Sequence, residues 1–461
     1  MGVSQQDDMV LEGIHNYSKE DRYISPPDPL LQQKLEWFQD QKLALMIHWG
    51  LYCELGMVAS WALSDKDADW SRHQVNWTKD GDEFKKQYFA LSRSFNPVRF
   101  QPEEWADMAV QSGFKYLILT TKHHDGFCLW DTQYTDYKTT APDCPFHEHK
   151  NANIVKSMFE AFRLRNLGIG AYFSKADWHC PYYWNEALRA GKPTSRGPSY
   201  PPSEHPELWQ QFCDYTKNQV LELCRDYGHL DILWFDAGWV CKASGQDIKL
   251  GEIVEEARRL QPWLLSVDRT IGGPYENYVT PEQCIPDKPL GIPWESCLTL
   301  GGDFAYQFGD HYKTPREIIN LLVQIVAKGG NLALNVSPQP DGRIPVEAES
   351  SLKGIGEWLK IYGEAIYGTR ICAPYQVGNV AFTQKSDLIY AIRLFPDTAE
   401  SVPSEIEIPY AGKISEISLL DSFDSKEPLE FARQENSLLV KVPLQRQTGL
   451  APIAMVFVLK Q

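Results

Sequence analysis

The stretch LDILWFDAGW, residues 230–239, decides the fold prediction for this chain of 461 residues. Its apolar run from Ile232 to Phe235 is short and has the composition of a strand buried on both faces of a sheet. Asp236 ends this run directly before an Ala-Gly pair, so its carboxylate is expected at the C-terminal end of a strand. In a parallel β/α barrel that end faces the mouth, where catalytic groups lie. The alternative is that Asp236 caps the N-terminus of a following helix.

Further apolar runs alternate with amphipathic helical segments, which is the pattern of β/α units around a parallel sheet. Strands are predicted at residues 43–50, 116–127, 167–174, 263–269 and 331–338. Helices are predicted at residues 102–112, 157–165, 209–225, 253–260, 316–328 and 350–362. The fold prediction is therefore a (β/α)8-like, TIM-type barrel, with residues 1 to about 34 as an N-terminal extension along its outside.

Beyond about residue 371 the helical pattern stops and short alternating runs follow, with turn residues between them. These runs cover residues 379–384, 388–395, 404–409, 415–420, 437–442 and 453–460. Such spacing is typical of an antiparallel β-sandwich. We predict two domains, a catalytic barrel over residues 1–368 and a C-terminal β-sandwich over residues 369–461.

Composition narrows the functional classes. The net charge of −16 disfavours nucleic acid as a partner, because phosphates require a basic surface. No apolar stretch is long enough to cross a membrane. The ten cysteines form no CxxC pair, which fits a reducing compartment, and the N-terminus has no basic and apolar signal pattern. A cytoplasmic location is expected, although a secreted protein with its signal removed would look the same. The oligomeric state is not predicted.

Polar and aromatic side chains gather at the predicted strand ends. They are His48, Trp49, His123, His124, Asp125, Tyr172, Asp177, Trp178, His179, Trp234, Asp236, Asp268, Arg269, Trp294 and Glu295. Aromatic rings such as Trp61, Trp234 and Trp294 either form core or stack on sugar faces. His123 and His124 also raise the alternative of a metal-dependent hydrolase, although no third ligand stands at a fixed spacing.

Cleavage of a glycosidic bond needs two carboxyl groups that flank the bond. Asp236 is the predicted nucleophile. Glu295 is the preferred acid/base, because it follows an apolar segment and a neighbouring Trp would desolvate it and raise its pKa. Four further acids remain open as the proton donor: Asp303, Asp310, Asp177 and Glu54.

Several segments together resemble the α-L-fucosidases of glycoside hydrolase family 29. They are IHWGLY (47–52), FNPVRFQPEEWADMAVQSGFKYLILTTKHHDGFCLWDT (95–132), GAYFSKADWH (170–179), LWFDAGW (233–239), VDR (267–269), PWESC (293–297) and GGNLALNVSPQPDGRIP (329–345). The resemblance implies a (β/α)8-like barrel followed by a β-sandwich. It also implies a retaining exo-α-L-fucosidase that acts on fucosylated glycans or oligosaccharides and uses no metal or organic cofactor.

The resemblance also assigns roles by position. Asp236 matches the nucleophile of the WFD motif, and Glu295 matches the acid/base of the WE motif. Residues that match the surroundings of the fucose ring, or are expected beside it, are His48, Trp61, His123, His124, Tyr172, Trp234, Arg269 and Trp294. Ser60 departs from the family pattern, in which many members carry Glu.

The segment ASWALSDKDADWSR (59–72) resembles a variant that implies a preference for α-1,3- or α-1,4-linked fucose. Two alternatives remain: a glycosidase of the same fold for a related sugar, and a glycan-binding protein without turnover.

Overall fold

The computed structural model describes residues 17–78, 80–397, 400–421, 427–447 and 451–461. The prediction about an N-terminal signal concerns residues outside these ranges, as does the first part of the predicted extension. In the described part of the chain, no helix is long and apolar enough to span a membrane.

A parallel sheet of seven strands forms the centre of the first domain, in the order β5-β4-β3-β2-β1-β7-β6. The strands are β1 Leu43–Ile47, β2 Tyr116–Lys122, β3 Gly168–Ser174, β4 Ile232–Asp236, β5 Leu265–Asp268, β6 Glu295–Thr299 and β7 Asn331–Val336. Nearly every residue in them is buried, because helices cover the outer face and side chains fill the interior. The prediction of a TIM-like barrel is confirmed, with seven regular strands in place of eight.

Helices surround this sheet, and several of them begin with a side-chain cap. They are α1 Pro29–Gln41, α2 Gly81–Phe89, α3 Pro102–Gln111, α4 Ile154–Arg163, α5 Glu186–Arg189, α6 Pro206–Asp226, α7 Leu250–Leu260, α8 Pro315–Ala327 and α9 Val346–Tyr362. In α8, Thr314 and Glu317 form a reciprocal capping box and Pro315 occupies the first turn. The six predicted helices are present, and α1, α2 and the short α5 are additional.

Helix α1, which begins within the predicted extension and continues beyond it, closes the N-terminal end of the barrel. Its buried side chains Leu31, Leu35 and Phe38 join the cluster that fills the barrel interior. The ring of Phe38 stacks on that of Tyr278 with centroids 4.0 Å apart. In the part of the chain that the structure describes, the interior is thus closed at this end and opens toward the C-terminal ends of the strands, where a ligand would enter.

An irregular extended segment, residues 276–282, fills the gap between β5 and β6. Isolated bridges join it to both sides: Glu276 to Val267, Val279 to Trp294, and Glu282 to Cys297. The last two bridges are parallel, so this segment runs in the same direction as β6. It occupies the place of an eighth strand and brings Glu282 toward the mouth of the barrel.

The C-terminal region contains two antiparallel sheets, with strand orders β12-β15-β10-β9-β8 and β11-β14-β13. The strands are β8 Arg370–Val377, β9 Val380–Lys385, β10 Leu388–Leu394, β11 Glu405–Ile408, β12 Glu416–Leu420, β13 Phe431–Arg433, β14 Leu438–Lys441 and β15 Ala454–Lys460. The six predicted runs all form strands, and a separate apolar core lies between the sheets. The predicted domain boundary falls between the end of α9 and the start of β8.

Candidate active site

A cavity of about 640 Å³ opens at the C-terminal ends of the barrel strands. Its lining includes eight of the ten residues that the sequence predicted for the site: His48, Trp61, His123, His124, Tyr172, Trp234, Asp236 and Arg269. These residues come from strands β1 to β5 and the loops that follow them. Parallel strands end at one face of the barrel, so the topology alone brings distant segments together.

Asp236 is the last residue of β4, and the chain turns sharply after it, with Ala237 at φ +68°. Its Oδ2 accepts a 2.5 Å hydrogen bond from the Tyr172 hydroxyl, and its Oδ1 accepts a 3.1 Å bond from Nη1 of Arg269. Burial by itself would raise the pKa of Asp236, but the Arg269 guanidinium, together with His124 and the hydrogen bond from Tyr172, holds the pKa well below its usual range. The carboxylate is ionised and faces the cavity, and no helix follows that it could cap.

Two histidines beside Asp236 are kept neutral by burial. Burial lowers the pKa of His48 and of His124 to about 4 in each case. Nδ1 of His48 lies 2.7 Å from Oδ1 of Asn335, and Nδ1 of His124 lies 2.7 Å from Oγ of Ser174. Because Asn335 Oδ1 can only accept and Ser174 Oγ donates to the Ala176 carbonyl, each Nδ1 is the donor, which leaves Nε2 of each neutral imidazole as an acceptor for a sugar hydroxyl.

His123 is also buried, and burial together with the neighbouring His124 lowers its pKa well below the usual range. Its Nδ1 lies 2.5 Å from Oγ of Ser60. Ser60, which directly precedes Trp61, thus contacts the imidazole of His123 and helps to fix its orientation. No sequence pattern predicts this contact of Ser60.

Aromatic rings form the apolar part of the cavity wall. Trp234 stacks on Tyr172 with ring centroids 5.3 Å apart, and the Arg269 guanidinium lies 5.2 Å from the Trp234 ring. Trp61 packs against the His124 ring at 5.1 Å. The site thus combines ionised, neutral polar and apolar surfaces within a few ångströms.

The structure does not bring Glu295 and Trp294 into this cavity. Glu295 is the first residue of β6, so it lies toward the closed base of the barrel, whereas the cavity is at the other end. It is fully buried and accepts hydrogen bonds from the hydroxyls of Tyr116 and Tyr278. Burial raises the pKa of Glu295 to about 7, as expected, but a group at this depth has no access to a glycosidic bond. The Trp294 indole donates to the carbonyl of Lys328, also away from the cavity.

Glu282, which the sequence reasoning missed, lines the cavity instead. The guanidinium of Arg269 bridges two carboxylates, with Nη1 on Asp236 and Nη2 on Glu282. The side chains of these two acids are 15% and 16% exposed, so both can meet a ligand. The segment YVTPEQ around Glu282 has no long apolar run, so the sequence pattern does not mark Glu282 as a residue at the end of a strand.

The other open candidates for the proton donor differ in position. Asp303 lines the cavity, and burial raises its pKa to about 6. Asp177 is fully buried and paired with Lys122 at 2.7 Å. Neither Asp310 nor Glu54 is among the residues that line the cavity.

One group in the described part of the chain has metal-ligand geometry. Ligand atoms of His123, His124 and Asp236 all lie within 4.8 Å of one another. However, the oxygens of Asp236 already accept bonds from Tyr172 and Arg269, and the guanidinium places a fixed positive charge beside any cation at this point. The donor set therefore fits a divalent metal poorly.

Comparisons with known proteins identify relatives of this chain. A family model described as alpha-L-fucosidase matches residues 11–364. Human plasma alpha-L-fucosidase is 30% identical over 371 residues, which cover 78% of this chain and 75% of that protein. An alpha-L-fucosidase of Branchiostoma floridae is 26% identical over 430 residues, 87% of each chain.

Solved structures show the same relationship. Alpha-L-fucosidase isoenzyme 1 from Paenibacillus thiaminolyticus superposes with a TM-score of 0.74 at 29% identity, covering 94% of this chain and 99% of that chain. Thermotoga maritima alpha-fucosidase in complex with fucose superposes with a TM-score of 0.71 at 27% identity, covering 95% and 100%. The chain belongs to the α-L-fucosidase family of glycoside hydrolases.

Proposed function

We propose that this chain is a retaining exo-α-L-fucosidase in which Asp236 is the nucleophile and Glu282 is the acid/base. The observation that carries the proposal is that one guanidinium, that of Arg269, holds both carboxylates at the mouth of the cavity. Retaining glycosidases need carboxyl groups about 5–5.5 Å apart. Two carboxylates bound to the two terminal nitrogens of one guanidinium are compatible with that spacing.

In the first step, an ionised oxygen of Asp236 attacks C1 of fucose while Glu282 protonates the departing glycosidic oxygen. The bond between C1 and that oxygen breaks, and a covalent fucosyl-enzyme forms. In the second step, Glu282 takes a proton from water as the water attacks C1, and Asp236 leaves with its electron pair. Two inversions at C1 return the original anomeric configuration.

Recognition of the sugar follows from the neutral histidines and the aromatic wall. His48 and His124 can accept hydrogen bonds from ring hydroxyls through Nε2, and His123 can also hydrogen-bond to a ring hydroxyl, without adding charge. The rings of Trp234 and Tyr172 offer an apolar surface to the 6-deoxy methyl group of fucose. The cavity ends within the barrel at Met46 and Trp234, which are 1% exposed, so only a terminal sugar can be accommodated.

A finer proposal concerns the linkage. The segment 59–72, which resembles the variant associated with α-1,3- and α-1,4-linked fucose, supplies Asp67, Ala68 and Trp70 to the outer wall of the cavity. Its position there supports a role in choosing the aglycone. Digestion of a panel of α-1,2, α-1,3, α-1,4 and α-1,6 fucosyl oligosaccharides tests this preference. Equal rates on all linkages would contradict it.

The acid/base assignment is tested with Glu282→Ala and with Glu295→Gln as the comparison variant. For Glu282→Ala, kcat/KM on a fucosyl oligosaccharide should fall by about 10²–10⁴-fold, because a sugar leaving group needs a proton. Hydrolysis of α-L-fucosyl fluoride should fall much less, because fluoride leaves without general acid assistance. Azide should then intercept the intermediate and give α-fucosyl azide.

Glu295→Gln should show neither the selective loss nor the azide product. The assignment is overturned if this variant gives that signature while Glu282→Ala does not. Fucose binding by calorimetry without release from any fucoside by the wild-type protein would instead support the glycan-binding alternative.

A further inference from the structure

Trp70 is the most exposed large apolar side chain that lines the cavity. It lies in a 3-10 helix, Asp69–Gln74, in the long connection between β1 and β2, and its side chain is 56% exposed. Trp61, in the same connection, packs instead against the rings of His124, Trp178 and Trp239. Trp70 therefore presents an open apolar face next to the site, whereas Trp61 is part of the inner wall.

The size of the cavity shows that one sugar does not fill it. Its volume of about 640 Å³ lies well inside the range that holds drug-sized ligands, which are larger than a single deoxyhexose. The inner part contains the carboxylates and histidines, and the outer part includes Asp67, Ala68, Trp70 and Arg196. On the proposed function, the inner part holds fucose, so the outer part faces the group to which fucose is attached.

The segment that carries Trp70 is fixed to the rest of the molecule by Asp65. This carboxylate accepts hydrogen bonds from Arg72 Nη2 at 2.7 Å, Lys85 Nζ at 2.8 Å and the backbone N–H of Thr194 at 2.7 Å. Arg72 belongs to the same 3-10 helix as Trp70, and Thr194 belongs to the insertion after β3. A surface that is already ordered loses little conformational entropy when a ligand binds.

Charge in this outer wall is balanced. Arg196 donates through Nε to Oδ1 of Asp67 at 2.6 Å and through its backbone N–H to Oδ2 at 3.0 Å. Its guanidinium also lies over the rings of Trp61 and Trp239, at 5.5 Å from each centroid. A paired guanidinium and carboxylate beside an exposed indole favour a neutral ligand with an apolar face over an anionic one.

We infer that Trp70 is a stacking platform for the neutral pyranose residue that carries the fucose, so that it determines preference for the aglycone. The inference rests on the proposed function. The C–H groups on one face of a pyranose pack on the indole, while the hydroxyls on the ring edge remain in water. No bond changes at this position; Trp70 contributes only to binding of the leaving-group sugar.

The test compares Trp70→Ala with wild type on two kinds of substrate. The first is α-L-fucosyl fluoride, whose leaving group has no ring. The second is 2′-fucosyllactose or 3-fucosyllactose, whichever the wild type hydrolyses faster. For Trp70→Ala, kcat/KM on the trisaccharide should fall about tenfold, equal to about 1.4 kcal/mol, with the fluoride within twofold of wild type. Trp70→Phe keeps a ring and should recover most of the loss.

Trp77→Ala is the matched control, because Trp77 is in the same connection and 37% exposed but does not line the cavity. It should leave both rates unchanged. The inference is overturned if Trp70→Ala hydrolyses the trisaccharide as wild type does, or loses both substrates equally. It is also overturned if wild type hydrolyses the fluoride and neither trisaccharide. Failure of wild type on the fluoride itself would instead refute the proposed function.

Discussion

Replacing Glu295 with Gln distinguishes a buried structural acid from a catalytic one. Glu295 is 0% exposed, and its carboxylate accepts bonds from the hydroxyls of Tyr116 and Tyr278. Gln is nearly isosteric: its oxygen can accept from one tyrosine and its amide can donate to the other. We therefore expect Glu295→Gln to fold and to hydrolyse fucosyl oligosaccharides within a few-fold of the wild-type rate.

The variant should change how stability depends on pH. Burial raises the pKa of Glu295 from 4.5 to about 7, so in the folded protein it keeps a proton that the unfolded chain has already released. Between these two pH values the unfolded state binds fewer protons, so the wild-type free energy of unfolding falls as pH rises. The difference of about 2.5 pKa units lowers the wild-type free energy of unfolding by about 3 kcal/mol. This loss is complete above about pH 7 and absent below pH 4.5.

Urea unfolding of both proteins at pH 4.5, 6 and 7.5, followed by tryptophan fluorescence, measures this effect. Glu295→Gln should gain up to about 3 kcal/mol relative to wild type between the lowest and highest pH. Burial also raises the pKa values of Asp125 and Glu276 to about 7, but both acids are present in each protein and cancel in the difference. A difference that is constant with pH, or a loss of activity of 10²-fold, would refute this reasoning.

Three further predictions concern groups around Asp236. Arg269→Gln removes the largest of the influences that lower the pKa of Asp236, so this pKa should rise and the acidic limb of the pH profile of kcat/KM for fucosyl fluoride should move to higher pH. The value of kcat/KM should also fall by about 10²-fold or more, and an unchanged acidic limb would contradict this prediction. Ser60→Ala removes the hydrogen bond to His123, worth about 1 kcal/mol, so inhibition by L-fucose should weaken about three- to tenfold, and an unchanged inhibition constant would contradict the role of Ser60. EDTA should leave the rate unchanged, whereas loss of activity that zinc restores would support the metal-dependent alternative.

The parts of the fold that could be predicted are those with strong apolar patterns. The run Ile232 to Phe235 forms β4 and ends at Asp236, as its composition indicates. Strand β6, by contrast, has the sequence ESCLT, which is too polar to predict a buried strand. Because the sequence does not predict β6, its pattern places PWESC at the end of a strand, although Glu295 is the first residue of β6. A side chain at the end of a barrel strand lies at the mouth, whereas a side chain at the start of the strand, such as that of Glu295, lies at the base.

Most of the cavity-lining residues can be predicted because the C-terminal ends of parallel strands lie at one face of the barrel. Residues that directly follow apolar runs therefore lie close together in the structure. Glu282 escaped this logic because no regular strand precedes it; only the pairing of residues 276–282 with both neighbours reveals its place. The role of Ser60 could not be predicted in this way either, because its partner His123 is distant in sequence. Their hydrogen bond depends on how the connection after β1 folds over the cavity.

Trapping of the covalent intermediate tests most directly whether Asp236 is the nucleophile. After incubation with 2-fluoro-fucosyl fluoride and peptic digestion, mass spectrometry should locate one fucosyl adduct on the peptide that contains residues 233–239, at Asp236. Glu282→Gln should accumulate the same adduct, because the second step then lacks its base. An adduct on Glu282, Asp303 or any other side chain would contradict the assignment of Asp236 as the nucleophile.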